Sequence, residues 1–251
     1  MTPTVLIVPG SFTPAVFYSN LANHIRDQSI GCEVYDLPST NRKPPQQAAT
    51  FEEDVALIHG KASEIIRRGH DVLLLAHSYG GSVATQAVKG LLKTDSQTNG
   101  LANGVLRIVY MSCPIPVAGH GIFENMGTLP EFMKIEGNFL YQEPEVSGPL
   151  MWPDLPESEA LVFAKQLTWQ SRLSFDGKLT YSGYKYLPVS YILCGNDPVL
   201  SPAFQQQMIA LLERESQQTV DVHTCKGTHC PNQGIPGTIA QIIRSISDVH
   251  I

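Results

Sequence analysis

Two hydrophobic patterns alternate along this chain. Short apolar, β-branched runs are separated by longer segments in which apolar residues return every three or four positions. The first pattern predicts buried strands and the second predicts helices packed on a sheet, so the fold class is α/β with a mostly parallel twisted sheet. Strands are predicted at about residues 4–8, 33–35, 72–76, 106–111, 189–194 and 220–224, and helices at 18–27, 51–68, 82–93, 203–215 and 239–247.

The alternation stops between Pro114 and Leu187. This segment has no convincing strand pattern, yet it holds 11 of the 20 aromatic residues. A stretch so long and so rich in large rings favours an inserted, mainly helical cap over a loose linker. We therefore expect one structural domain, with a core formed by residues 1–113 and 188–251 and a cap insertion at 114–187.

Composition narrows the class of partner. The 251 residues carry 17 Lys and Arg against 23 Asp and Glu, and no basic patch stands out, so we expect no binding to nucleic acid. The apolar runs are far shorter than the roughly 18 to 20 residues that span a bilayer, so we expect no membrane span. Five dispersed cysteines and an N-terminus without leader features favour a reducing, cytoplasmic location.

The strongest chemical signal is a serine between a strand and a helix. Ser78 follows the run Leu-Leu-Leu-Ala-His, and Tyr-Gly-Gly follows it. This pattern indicates a nucleophile elbow, a turn so sharp that the positions two residues away, Ala76 and Gly80, must be small. The backbone N–H of Tyr79 opens the next helix and could stabilise an oxyanion. A phosphate-binding turn or plain strand–helix packing is the alternative.

A serine nucleophile needs a base and an acid, and both follow in the expected order. Asp197 comes just after the predicted strand at 189–194, and His229 lies in the loop after the last predicted strand. The non-catalytic alternatives are that Asp197 caps the following helix and that His229 is an ordinary loop histidine. The other oxyanion donor is expected from the loop after the first strand, where Gly10 permits a close approach and the N–H of Ser11 points inward, with that of Phe12 as the alternative. A turn that carries Pro9 and Gly10 without this role is the other interpretation.

No metal or cofactor is expected. His223, Cys225, His229 and Cys230 are residue types that bind zinc, but their spacing on a strand and the loop after it fits a shared site poorly. Gly10 is followed by no further glycine at the spacing of a dinucleotide-binding loop.

Together these motifs resemble the α/β-hydrolase superfamily. The resemblance covers nearly the whole chain and is closest to the small one-domain group that includes plant methyl-ester hydrolases, hydroxynitrile lyases and uncharacterised fungal and bacterial hydrolases. It rests on Val5–Ser11, Tyr35–Ser39, His77–Gly81, Asn196–Asp197 and Thr228–Pro231. The resemblance implies the α/β-hydrolase fold, with Ser78, His229 and Asp197 as a triad and the amides of Ser11 and Tyr79 as the oxyanion hole. Hydroxynitrile lyases carry a lysine directly after the triad histidine, whereas this chain has Cys230, which argues against that lyase activity.

Three functions are consistent with these residues. The first is a serine hydrolase that cleaves a carboxylic ester, lactone or thioester of a small, largely apolar molecule. The second uses the same triad for lyase, carbon–carbon hydrolase or cyclase chemistry on a natural product, and the third is a hydrolase fold that senses a small ligand. A small-molecule substrate is the expected partner, and the oligomeric state, a homodimer included, stays open.

Overall fold

The computed structural model describes residues 2–98, 100–126, 130 and 132–248. The strands are β1 (Thr4–Val8), β2 (Cys32–Val34), β3 (Val72–His77), β4 (Val105–Met111), β5 (Met133–Glu136), β6 (Phe139–Gln142), β7 (Gln170–Ser171), β8 (Val189–Cys194) and β9 (Asp221–Cys225). The helices are α1 (Ser19–Arg26), α2 (Phe51–Arg67), α3 (Gly80–Ala87), α4 (Lys93–Thr98), α5 (Ile122–Met126), α6 (Pro144–Met151), α7 (Glu157–Ala164), α8 (Arg172–Asp176), α9 (Pro202–Ser216), α10 (Pro231–Gly234) and α11 (Pro236–Asp248), with 3-10 turns at Ala15–Tyr18 and Gly183–Lys185.

The central sheet has six strands in the order β2-β1-β3-β4-β8-β9, and every neighbouring pair is parallel. This confirms the predicted α/β class and all six predicted strands. Strands β1 and β3 are buried at every position because helices cover both faces of the sheet. Successive residues alternate between the two faces. Leu6 and Leu74 therefore pack with α2, α3 and α9, whereas Val5 and Leu73 pack with α1 and α11.

The helix after β3 is shorter than predicted. Its apolar pattern predicts a helix over 82–93, but α3 runs from Gly80 to Ala87. The chain then turns through Gly90 at φ +75°, and Leu92 forms a parallel bridge with Val105 at the start of β4. The leucines of this stretch are buried beside the start of β4, and periodicity alone does not distinguish that arrangement from a further helical turn.

The segment between β4 and β8 contains a small sheet, so the expectation that it has no strand was wrong. Strands β5, β6 and β7 form a three-stranded antiparallel sheet beside four short helices. Gly137 and Asn138 make the tight turn between β5 and β6, with Gly137 at φ +58°. A glycine–asparagine pair of this kind is a hairpin signal, but the strands beside it are only four residues long and too short to show a clear period.

No helix in the part of the chain that the structure describes has both the length and the apolar character needed to cross a membrane.

Candidate active site

Three of the residues predicted as functional meet at the carboxyl edge of the central sheet. Ser78 follows β3, Asp197 follows β8 and His229 lies in the loop after β9. The Nε2 atom of His229 lies 3.2 Å from Ser78 Oγ, and its Nδ1 atom lies 2.8 Å from Asp197 Oδ2. All three residues are buried, with 8% of Ser78 exposed. The imidazole thus bridges a hydroxyl and a carboxylate, which is the arrangement that can activate a serine.

The turn at Ser78 has the strain expected of a nucleophile elbow. Ser78 adopts φ +50°, in the left-handed region that a residue with a side chain rarely occupies. Its amide donates to the carbonyl oxygen of Met111, which fixes the turn against the neighbouring strand. A Cβ on Gly80 would lie 2.6 Å from the carbonyl oxygen of Pro9 and closer still to that of Val8. The absence of a side chain at Gly80 therefore lets the start of α3 approach the loop after β1.

Replacing Gly80 with alanine should lower the free energy of unfolding by about 3 kcal/mol, because backbone must move to admit the methyl group. Gly60→Ala is the matched control: Gly60 lies inside α2, and a Cβ there would have no neighbour within 4 Å. That change should raise the free energy of unfolding by about 1 kcal/mol through helix propensity. Urea denaturation of both variants measures the two effects, and an unchanged stability for Gly80→Ala would contradict the close approach.

Asp197 is held as an ionised acceptor. Its Oδ1 accepts the amides of Val199 at 2.8 Å and Leu200 at 2.9 Å, while its Oδ2 accepts from His229 and from the hydroxyl of Ser112. Burial acts to raise the pKa of this carboxyl, but the charge and hydrogen bond of His229, together with the hydrogen bonds from Ser112 and Leu200, hold it below its ordinary value. Asp197 therefore does not cap α9, whose first turn is capped by Ser201; it binds the loop before that helix and contacts the imidazole.

Sequence reasoning missed Ser112, which directly follows β4. Its backbone adopts φ +48°. Its Oγ donates a hydrogen bond to Asp197 Oδ2 and also lies 3.4 Å from His229 Nδ1. The hydroxyl thus contacts the acid and the imidazole together. The strand that precedes it was predicted, but a lone serine after a strand gives no signal of this role.

A cavity opens above Ser78 and His229. It encloses about 420 Å³ of empty space, including its mouth to solvent, and is lined by Ser11, Ser78, Tyr79, Pro114, Ile122, Phe132, Met133, Gln142, Met151, Phe175, Val199, Leu200 and His229. Most of these side chains are apolar, and the segment at 114–187 supplies more than half of them. Of its aromatic residues, Phe132 and Phe175 line the cavity, whereas others such as Trp152 and Phe163 stack on one another at 5.5 Å. Such a pocket suits a small, largely apolar ligand.

The chain matches the model of the alpha/beta hydrolase family over residues 5–241. It is also 31% identical over 248 residues to the probable hydrolase R7 of a Phoma species, an alignment that covers 98% of each chain. The chain belongs to the alpha/beta hydrolase family.

Two solved structures show the same fold at low identity. Polyneuridine aldehyde esterase superposes with a TM-score of 0.77 at 19% identity, covering 98% of this chain and all of its own. Tomato methylketone synthase I superposes with a TM-score of 0.78 at 16% identity, covering all of both chains. The names of these two proteins already differ in chemistry, so the alpha/beta hydrolase fold by itself does not select a reaction for this chain.

In this alpha/beta hydrolase, His77 connects two loops of the site. Its Nε2–H donates to the carbonyl oxygen of His229 at 2.7 Å, and its Nδ1 accepts from the hydroxyl of Tyr18 at 2.7 Å. The Tyr18 oxygen in turn accepts the amide of Gly10 at 2.8 Å. Burial, and secondly the neighbouring His229, lower the pKa of His77 to about 3, so the ring is neutral and can both donate and accept. With both ring nitrogens occupied, His77 is unsuited to act as the base.

Tyr79 is anchored from its far end. Its hydroxyl donates to Asp54 Oδ2 at 2.6 Å, and Asp54 Oδ1 accepts the amide of Ser39 at 2.9 Å. Burial raises the pKa of Asp54 to about 6 despite these hydrogen bonds. Sequence reasoning missed this contact, although Asp54 is an acidic residue on the otherwise apolar helix face that carries Phe51 and Ile58. The phenol is thus directed away from the reacting end of the cavity, where the backbone of Tyr79 lies.

The loop that carries Ser11 is fixed on its other side by the segment at 114–187. Phe12, at φ +61°, donates its amide to Gln170 Oε1 at 3.2 Å, and its carbonyl oxygen accepts the amide of Thr168 at 2.7 Å. The amide of Phe12 is therefore already engaged, whereas the amides of Ser11 and Tyr79 have no hydrogen-bond acceptor among the described residues. Across the described ranges, no group of three or more His, Cys, Asp or Glu residues is placed to hold a metal ion.

Proposed function

We propose that this protein is a serine hydrolase that cleaves carboxylic esters, lactones or thioesters of small, largely apolar molecules. The observation that carries the proposal is the buried Ser78–His229–Asp197 arrangement at the floor of an apolar cavity. Ser78 would be the nucleophile, His229 the general base and acid, and Asp197 the residue that orients the imidazole and stabilises its cation.

The reaction would proceed through an acyl-enzyme. Ser78 Oγ attacks the carbonyl carbon while its proton passes to His229 Nε2. The tetrahedral oxyanion accepts hydrogen bonds from the amides of Ser11 and Tyr79, whose N–H groups are free among the described residues. Collapse expels the alcohol, which takes the proton from Nε2. Water then attacks the acyl-Ser78 ester with His229 again as base, and the carboxylic acid leaves.

Residues 114–187 would act as the cap in this proposal. They supply the apolar side chains opposite Ser78, and they anchor the Ser11 loop through Gln170 and Thr168. A roof of this kind excludes bulk water, which strengthens every electrostatic interaction beneath it.

Turnover of short-chain esters, lactones and thioesters in ¹⁸O-enriched water tests the proposed reaction. We expect one ¹⁸O atom in the carboxylic acid and none in the alcohol, because water attacks the acyl carbon. The same panel with Ser78→Ala shows how much turnover depends on this serine. Products that lack the added water would instead indicate lyase or cyclase chemistry, and tight binding without turnover would indicate ligand sensing.

A further inference from the structure

One polar side chain in the cavity has no part in the proposed reaction. Gln142 ends strand β6, lines the same cavity as Ser78 and His229, and is 8% exposed. It pairs with Met133 across the β5–β6 ladder, so both side chains project from the same face of the small sheet, and both reach the cavity. Leu140, two residues earlier, is fully buried in the hydrophobic core. Gln142 therefore occupies a position where the strand period calls for an apolar residue.

The amide of Gln142 lacks hydrogen-bond partners. Its Oε1 is buried without a donor, and its amide nitrogen donates to no acceptor among the described residues. Two other buried glutamines behave differently. Gln170 accepts from Phe12 and donates to Ser174, and Gln205 accepts the amide of Cys194 while donating to backbone carbonyls. Each of these two amides has a bonded oxygen and a bonded nitrogen, whereas neither end of the Gln142 amide, whose side chain lines the cavity, is bonded among the described residues.

A buried amide oxygen without a donor costs stability, and an apolar side chain of similar size would avoid that cost. A ligand in the cavity can supply the missing bonds. A hydroxyl group fits best, because it can donate a hydrogen bond to Oε1 and accept a hydrogen bond from the amide nitrogen. The other polar residues of the lining, Ser11, Ser78, Tyr79 and His229, stand at the reacting end. Gln142 is therefore the polar group available to the rest of the ligand.

We propose that Gln142 is a specificity-determining residue that selects esters carrying a hydroxyl group on an otherwise apolar acyl or alcohol part. This inference rests on the proposed function, since it names the substrate class of that same site. A site that hydrogen-bonds a substrate hydroxyl discriminates strongly against the analogue that lacks it, because the amide is then left unpaired in the complex.

Matched pairs of esters test the proposal. Methyl phenylacetate and its 3- and 4-hydroxyphenyl analogues vary the acyl side, and 2-phenylethyl acetate with its 3- and 4-hydroxyphenyl analogues varies the alcohol side. For wild type we expect at least one hydroxylated ester to exceed its parent in kcat/KM by about 10-fold or more. In Gln142→Met, which keeps the length but removes the amide, that ratio should fall to about one. Tyr141→Phe is the control, because Tyr141 projects from the opposite face of β6 and packs on Trp169 at 5.0 Å.

Binding to Ser78→Ala separates this proposal from the proposed reaction. Calorimetric titration with the same esters should show tighter binding of the preferred hydroxylated ester, lost when Gln142→Met is added. If that pattern appears while wild type hydrolyses none of the esters, the proposed reaction fails and the role of Gln142 stands. If wild type hydrolyses the esters without a hydroxyl preference, or keeps the preference in Gln142→Met, the role of Gln142 is overturned. Gln142→Leu replaces Gln142→Met should the latter fail to fold.

Discussion

Ser78→Ala is expected to lower kcat for ester hydrolysis by about 10³-fold or more while leaving the fold intact. The change removes the hydroxyl that lies 3.2 Å from His229 Nε2 but keeps the Cβ, so the strained turn at φ +50° is the same in both proteins. The residual activity of the variant would come from substrate binding and from the oxyanion donors. Steady-state kinetics on an ester that wild type cleaves, alongside thermal unfolding, measure the loss and the stability together.

Ser82→Ala is the matched control for that loss. Ser82 lies one helical turn further along α3, is buried, and its Oγ has no partner among the described residues. We expect its kcat to stay within about threefold of wild type, as for a substitution that removes no contact with the reacting atoms. The double variant Ser78→Ala/His229→Ala should be no slower than Ser78→Ala, because residues that act as a unit are not additive. Activity near that of wild type in Ser78→Ala would rule out Ser78 as the nucleophile.

Asp197→Asn is expected to lower kcat by about 10⁴-fold, the effect seen when a triad histidine is held in the wrong tautomer. The amides of Val199 and Leu200 both donate to Oδ1, so the carbonyl oxygen of the new asparagine must face them. Its NH₂ group then faces His229 Nδ1, which has to accept. The imidazole proton moves to Nε2, and that nitrogen can no longer take the proton of Ser78. Single-turnover kinetics with an excess of enzyme measure the acylation step directly.

Ser112→Ala measures the contribution of the Ser112 hydroxyl apart from that of the Asp197 carboxylate. This change removes the hydroxyl that donates to Asp197 Oδ2 but leaves the contact between Asp197 and His229. We expect kcat to fall about tenfold, because one hydrogen bond to the charged oxygen is worth roughly 1.5 kcal/mol. If the fall in kcat for Asp197→Asn were no larger than the fall for Ser112→Ala, the carboxylate would not set the tautomer of His229.

The central sheet could be predicted because its inner strands β1, β3, β4 and β8 are short, largely apolar runs with clear breaks. The small sheet could not, since β5 and β6 are four residues each and β5 is exposed at Lys134, Ile135 and Glu136. The length of α3 was overestimated for a related reason. Apolar residues at 91 and 92 suit either a helix face or a bridge to a strand, and the tertiary contact with β4 decides.

The triad residues were predictable because chain order and strand ends place them at one edge of a parallel sheet. The buried polar contacts around them were not. Ser112, Tyr18 and Asp54 each act through a partner at least 25 residues away in sequence, and no local pattern encodes such a pair. The bond from His77 to the carbonyl oxygen of His229 likewise depends on the folded loops. Gln142 is visible as a polar interruption of β6 only when the strand is known.

The most direct test of the central claim is the intact mass of the protein after exposure to a fluorophosphonate, measured beside Ser78→Ala. An activated serine displaces fluoride and forms a stable phosphonyl ester, so we predict one adduct on wild type and none on the variant. Peptide mapping should place that adduct on Ser78. A folded wild-type protein that forms no adduct, or an adduct that persists in Ser78→Ala, would contradict the account of Ser78 as an activated nucleophile.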